Sequence, residues 1–218
     1  DVYKRQHVTQ QNNFIYFTAA LLLLLLASAF VDSVPESKGM MLVELFILLT
    51  HVVAYMSLNF GRYWRYFVLI MFVIIATANI FNRYSDWSAG PVAALTFTLI
   101  FYAGVALTTA RKVLFPEKVT ANIVVGALAI YILLGLIWAT LYLITMEFFP
   151  HAFNGIEHIY WGDNFSNALY YSYITMTSVG YGEITPAIAI SRTLAYMQAM
   201  IGSFYMAVVV ASLISARH

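Results

Sequence analysis

The residues with the most specific chemistry form one short run, Thr175-Met176-Thr177-Ser178-Val179-Gly180-Tyr181-Gly182. Gly180 and Gly182 stand two apart. Glycine adopts φ > 0 at little cost, so the backbone here can alternate in handedness and turn successive carbonyls to one side of a nearly straight strand. Val179 and Tyr181, the residues between, can brace that strand from behind. Few other residues could do chemistry. Glu44 and His51 are ionisable groups inside an apolar segment, seven positions apart and so on roughly one helix face. A proton-sensing or ligand role for them competes with simple pairing to polar residues of neighbouring helices. No His-Glu-x-x-His, nucleophile elbow or phosphate-binding glycine loop occurs, so an enzyme has no machinery here.

Composition says where the run must sit. Of 218 residues, 62% are hydrophobic and 10% charged, too apolar for an ordinary soluble domain. The chain belongs in a lipid bilayer. It has no cysteine, which removes disulfides and thiolate metal sites. The formal net charge is +1, and the Lys and Arg residues form no basic stripe, so nucleic acid is not a partner.

Hydrophobic runs predict six spanning helices, at about Asn13 to Val31, Met40 to Leu58, Tyr66 to Phe81, Pro91 to Thr109, Thr120 to Phe148 and Ala189 to Ser215. The third is short, and Thr77, Asn79 and Asn82 give it a polar end. The fifth is long enough to tilt. Lys4 and Arg5, Leu21 to Leu26 and Ala27-Ser28-Ala29 also have the pattern of a secretory signal. The apolar run from Phe14 to Val31 exceeds the usual signal core of about 7 to 15 residues, which favours a retained helix. Asp1 to Gln6 are assigned no function.

Between the fifth and sixth spans, residues 149–187 are broken by Gly155, Gly162, Gly180, Gly182 and Pro186. The segment reads as re-entrant. Asp163 or Asn164 can cap a short helix over Phe165 to Met176, and the glycine-bearing run follows at once. Asn164-Phe165-Ser166 matches a glycosylation sequon, but capping is the better reading at that place. Irregular backbone at membrane depth is tolerated only where protein buries it or where it lines a water-filled path. A conduction path is implied.

Orientation follows from the basic residues. With the amino terminus inside, Lys4, Arg5, Arg62, Arg65, Arg111, Lys112, Lys118 and Arg217 fall inside, and Lys38, Arg83 and Arg192 outside. Both termini are then cytoplasmic. Glu147, Glu157, Asp163 and Glu183 gather on the outer side, where they would raise local cation concentration. Trp64, Trp87 and Trp161 fall near the expected interfaces, as an aromatic belt would.

From Ala168-Leu169-Tyr170-Tyr171-Ser172 through the glycine run to Pro186, and on into the sixth helix, the chain resembles the pore loop and inner helix of single-pore-loop potassium channels, whose filter reads TVGYG. The resemblance implies an all-α, homotetrameric membrane protein. Residues 1–112 would be a four-helix peripheral domain and residues 113–218 the pore domain. Carbonyls of Ser178, Val179, Gly180 and Tyr181 would replace the hydration shell of K+, with the Ser178 hydroxyl adding an inner ring. No cofactor beyond K+ is implied. Gly182 would complete the ion-binding filter, and Tyr170, Tyr171, Thr175, Thr177 and Glu183 would support it, the two tyrosines as an aromatic cuff. The carboxyl end of the short helix would favour a cation in the cavity. Gly202, twenty positions after Gly182, would be a gating hinge, or simply a place of close helix packing; Ala207 and Ala211 would line an apolar inner gate.

Three positions depart from the family pattern. Ser178 replaces the common Thr, which keeps the hydroxyl and loses a stiffening methyl, so selectivity could loosen at the innermost site. Ile174 stands where some bacterial relatives carry a glutamate, and Glu183 replaces the usual Asp. The fourth span contains no Lys or Arg between Gly90 and Ala110, so strong voltage sensing is not expected. A weakly selective cation channel and a potassium transporter subunit are the alternatives, although such a transporter chain should carry four pore loops. The partners expected are three further copies and membrane lipid; the regulatory ligand is not specified.

Overall fold

The longest helix organises the chain. In the computed structural model, which describes residues 13–29, 36–58, 61–84, 89–114, 120–157 and 159–215, this helix is α5, Ala121–Phe148. Thr120 begins it, extended at φ −114° and accepting the Ile123 N–H on its side chain. At a rise of about 1.5 Å per residue its 28 residues run about 42 Å, more than a bilayer core of about 30 Å. The chain enters α5 after α1 (Asn13–Ser28), α2 (Glu36–Ser57), α3 (Arg62–Tyr84) and α4 (Gly90–Val113). It leaves through β1 (Phe153–Asn154), α6 (Phe165–Met176), β2 (Thr185–Pro186) and α7 (Ala189–Ser215).

α5 packs against α1, α4, α6 and α7, while α1 to α4 contact one another in sequence order. Direction is fixed by a few polar contacts. The Phe14 N–H bonds to Asn122 and Thr18 to the Val125 carbonyl, so α1 and α5 start together. Ser191 donates to the Ala152 carbonyl and Tyr205 to the Ala127 carbonyl, so α7 runs back down α5. The filter segment therefore lies at the far end of α5 from Arg111 and Lys112, in the last turn of α4.

The expected bounds of α6 and α7 coincide with the observed ones. α3 is longer than expected, beginning at Arg62, because the positive φ of Gly61 (111°) turns the chain just before it. Among the described residues three helices are long and apolar enough to cross a membrane, over Arg62–Phe81, Gly90–Val113 and Ala121–Phe148; the apolar lengths Asn13–Ser28 and Met41–Ser57 are shorter. Trp64 and Trp161 are buried against protein, near Phe67 and Tyr160, so neither offers its ring to lipid as a belt residue would. Trp87 lies outside the described residues. Glu44 and His51 are both buried, and His51 stacks on Phe101 at 3.4 Å between ring centres while its Nδ1 meets the Ile47 carbonyl at 2.8 Å.

Candidate functional site

α6 is held from behind by hydrogen bonds that cross three helices. Ser172 donates to the Gly135 carbonyl of α5 (2.7 Å) and Tyr173 to the Ile132 carbonyl (2.8 Å). Gln198 of α7 donates to the carbonyl and the hydroxyl of Ser172 (2.9 and 2.7 Å) and accepts from Tyr142 of α5. Tyr142, Ser172 and Gln198 are all buried, so these bonds form out of reach of bulk water. Gly135 permits the approach: a Cβ there would lie 2.3 Å from the Tyr173 ring.

The filter run leaves α6 by turning back on its last carbonyls. The Ser178 N–H bonds to the Thr175 carbonyl, and the N–H groups of Val179 and Gly180 share the Ile174 carbonyl at 2.9 and 3.2 Å. Ile174 was expected to matter only for its missing carboxyl; its backbone is the anchor. The backbone then alternates as the glycines suggested, with φ of 54° at Gly180 and 98° at Gly182 and no positive φ at Val179 or Tyr181. Ser178 joins the alternation at φ 60°, which no glycine marked. A non-glycine residue in the left-handed region costs about 1 to 2 kcal/mol and clusters at functional sites. With their amides turned back or aside, the carbonyls of Ser178, Val179, Gly180 and Tyr181 accept no hydrogen bond among the described residues.

The outer end is fastened by the β1–β2 pair, where Phe153 faces Pro186 and Asn154 faces Thr185. Gly155 (φ 81°) makes this possible, since a Cβ would meet the Glu183 carbonyl oxygen at 2.1 Å. Composition signalled a break at Gly155 but not the strand pair. Tyr170 donates to the Glu183 carboxylate, which ties the start of the run's outer end to α6. Thr177 bonds back to the Tyr173 carbonyl at 2.6 Å.

One expectation is corrected. Asn164 occupies the N-cap position of α6 in a helical conformation without a capping hydrogen bond, and its amide donates to the Glu157 carbonyl at 2.8 Å. It is buried, tying the preceding loop to the helix. The two tyrosines face different ways. Tyr171 turns into its own chain, packing on Tyr142 and Phe153 at 4.9 and 5.3 Å between ring centres, whereas Tyr170 faces the filter side. Tyr181 is 74% exposed and Val179 51%, so neither is braced within one chain.

α7 passes below the filter without a break. Gly202 lies in mid-helix and is buried, where a Cβ would meet Met176 Cγ at 2.6 Å and its carbonyl oxygen at 2.9 Å. The absent side chain thus permits close passage beneath the end of α6. Ala207 and Ala211 are exposed on this helix.

The family model described as ion channel matches residues 126–216, which take in most of α5, the whole filter segment and α7. No curated protein and no solved structure matches the chain.

Proposed function

We propose that this chain, whose residues 126–216 match a family model described as ion channel and not one of an enzyme, is one subunit of a homotetrameric, potassium-selective channel. The observation that carries the reading is the row of unpartnered carbonyls at Ser178, Val179, Gly180 and Tyr181 on a backbone alternating in φ. An unsatisfied carbonyl is costly unless water or an ion meets it. Four such rows around one axis would strip a potassium ion of its water and replace the lost oxygens. One pore loop cannot surround an ion, so fourfold assembly goes with this reading.

In the same proposal all six long helices span the cell membrane with both termini cytoplasmic. Gly202 is the hinge and Ala207 and Ala211 the apolar constriction below the cavity. Strong voltage gating is not part of it. A charge crossing the full field is worth about 2.3 kcal/mol per 100 mV, and α4 carries basic residues only in its last turn, Arg111 and Lys112. A second reading, a weakly selective cation channel, is favoured by Ser178 alone.

Purified protein in a planar bilayer, with potassium on one side and sodium on the other, tests this. The reversal potential should follow the potassium gradient, with an open probability nearly flat in voltage. A reversal near zero would establish the weakly selective alternative in its place.

A further inference from the structure

Two neighbouring clefts lie between α2 and α3 and share a wall. The larger, of about 460 Å³, is lined by Tyr55 near the end of α2 and by Arg62, Arg65, Tyr66 and Leu69 at the start of α3. The smaller, of about 160 Å³, is lined by His51, Val52, Tyr55, Val68, Leu69 and Phe72. Tyr55 and Leu69 belong to both, so a basic, hydroxyl-bearing recess continues into an apolar slot.

The charge in the recess does nothing evident for the fold. Arg62 and Arg65 occupy the first turn of α3, which has no acidic residue, and the helix dipole disfavours cations at that end. Both are exposed, and no described carboxylate pairs with either. Glu44, the acidic residue of α2 whose placement is described, stands 13 positions before Ser57, about 20 Å along the axis. Of the other described acids, Glu147 is in the last turn of α5, and Glu157, Asp163 and Glu183 follow that end. Two guanidinium forks lining one cleft make a strong receptor for a phosphate oxyanion.

We propose that this cleft binds an anionic phospholipid, with its phosphate between Arg62 and Arg65 and one acyl chain in the slot beside Val52 and Phe72. A lipid is preferred to a soluble phosphate because the recess opens along apolar surface: Leu69, Ile70 and Val73 are exposed on α3 beyond it. Tyr63 and Tyr66, also exposed in the first turns of α3, are residues whose amphipathic rings favour a headgroup region. A zwitterionic lipid carries its own cation beside the phosphate and gains less from the two arginines. The inference needs only the membrane setting, and ion selectivity does not enter it.

The test is native mass spectrometry of the full, delipidated chain titrated with phosphatidylglycerol, phosphatidylcholine of the same acyl chains, or inorganic phosphate. Wild type should take up phosphatidylglycerol in preference to phosphatidylcholine, and Arg62→Gln with Arg65→Gln should lower that preference about tenfold or more. Arg111→Gln with Lys112→Gln removes the same charge elsewhere on the same end and should leave the preference in place; Val52→Trp should weaken both lipids by obstructing the slot. Equal loss in the two charge variants would mean diffuse attraction and overturn the site. Retention of the preference by the Arg62/Arg65 variant would overturn it too, as would displacement of the lipid by inorganic phosphate at equal concentration.

Discussion

Replacing Gln198 with Leu should loosen the filter's support by an amount the structure lets one estimate. Gln198 is fully buried, accepts the Tyr142 hydroxyl, and donates to the Ser172 carbonyl and hydroxyl. Leu has nearly the same bulk and none of these bonds. The Tyr142 hydroxyl is then a buried donor without a partner, which costs about 1 to 3 kcal/mol. Ser172 fares better, because its hydroxyl still donates to the Gly135 carbonyl; its lost bonds add about 1 kcal/mol. The expected loss is about 2 to 4 kcal/mol per chain. Tyr142→Phe removes the orphaned hydroxyl, so the double variant should recover about 1 to 2 kcal/mol of it as a coupling energy. Equilibrium unfolding in detergent micelles of wild type, the two single variants and the double variant measures this. Additivity to within about 0.5 kcal/mol would refute the reasoning, because it would mean the two side chains do not share a bond that matters.

Gly135→Ala should displace Tyr173, whose ring a Cβ would reach at 2.3 Å, and lower stability by about 1 to 3 kcal/mol. Tyr173→Leu in the same chain should restore part of that loss, as read by the heat resistance of the assembled protein. Ser178→Thr puts a β-branched side chain at φ 60°. It should lower the melting temperature while shifting the potassium-to-sodium reversal potential toward stricter discrimination, as the added methyl stiffens the innermost ring. An unchanged melting temperature would show that the assembled filter does not hold this residue in the left-handed region.

How legible these features were in the sequence depended on whether their cause was local. The bounds of α6 and α7 could be read because apolar runs end at glycine and proline clusters, and the positive φ of Gly180 and Gly182 because only glycine adopts it cheaply. Ser178 shares their conformation without their residue type, so nothing in the sequence marked it. Its handedness goes with the amides that follow it, since the N–H groups of Val179 and Gly180 both turn back to the Ile174 carbonyl. The bonds from Tyr142 through Gln198 to Ser172 join residues 56 and 26 positions apart. A polar residue on an apolar helix announces that it needs a partner and does not say which. Asn164 shows the opposite error. Its type is right for a cap, but the loop before α6 comes close enough to offer the Glu157 carbonyl, and tertiary contact overrides the local preference.

The exposed apolar surface of the single chain divides into two kinds with different requirements. Leu45, Ile70, Val73 and Leu107 lie on helices whose backbone bonds are satisfied internally, so lipid can cover them at no cost. Residues 177–183 cannot be treated this way. All seven are exposed, their backbone belongs to no helix or sheet, and lipid offers nothing to carbonyls that accept no hydrogen bond. Their outward side chains, Val179 and Tyr181, need a protein wall, and their carbonyls need water or cations. Within the chain, Tyr171 is committed to Tyr142 and Phe153 and cannot supply that wall. In the proposed assembly a neighbouring copy presenting its own Tyr170 face would supply it, and the carbonyls of both copies would turn to a shared axis. The exposure of residues 177–183 in one chain is thereby the physical argument for the proposed assembly of several chains.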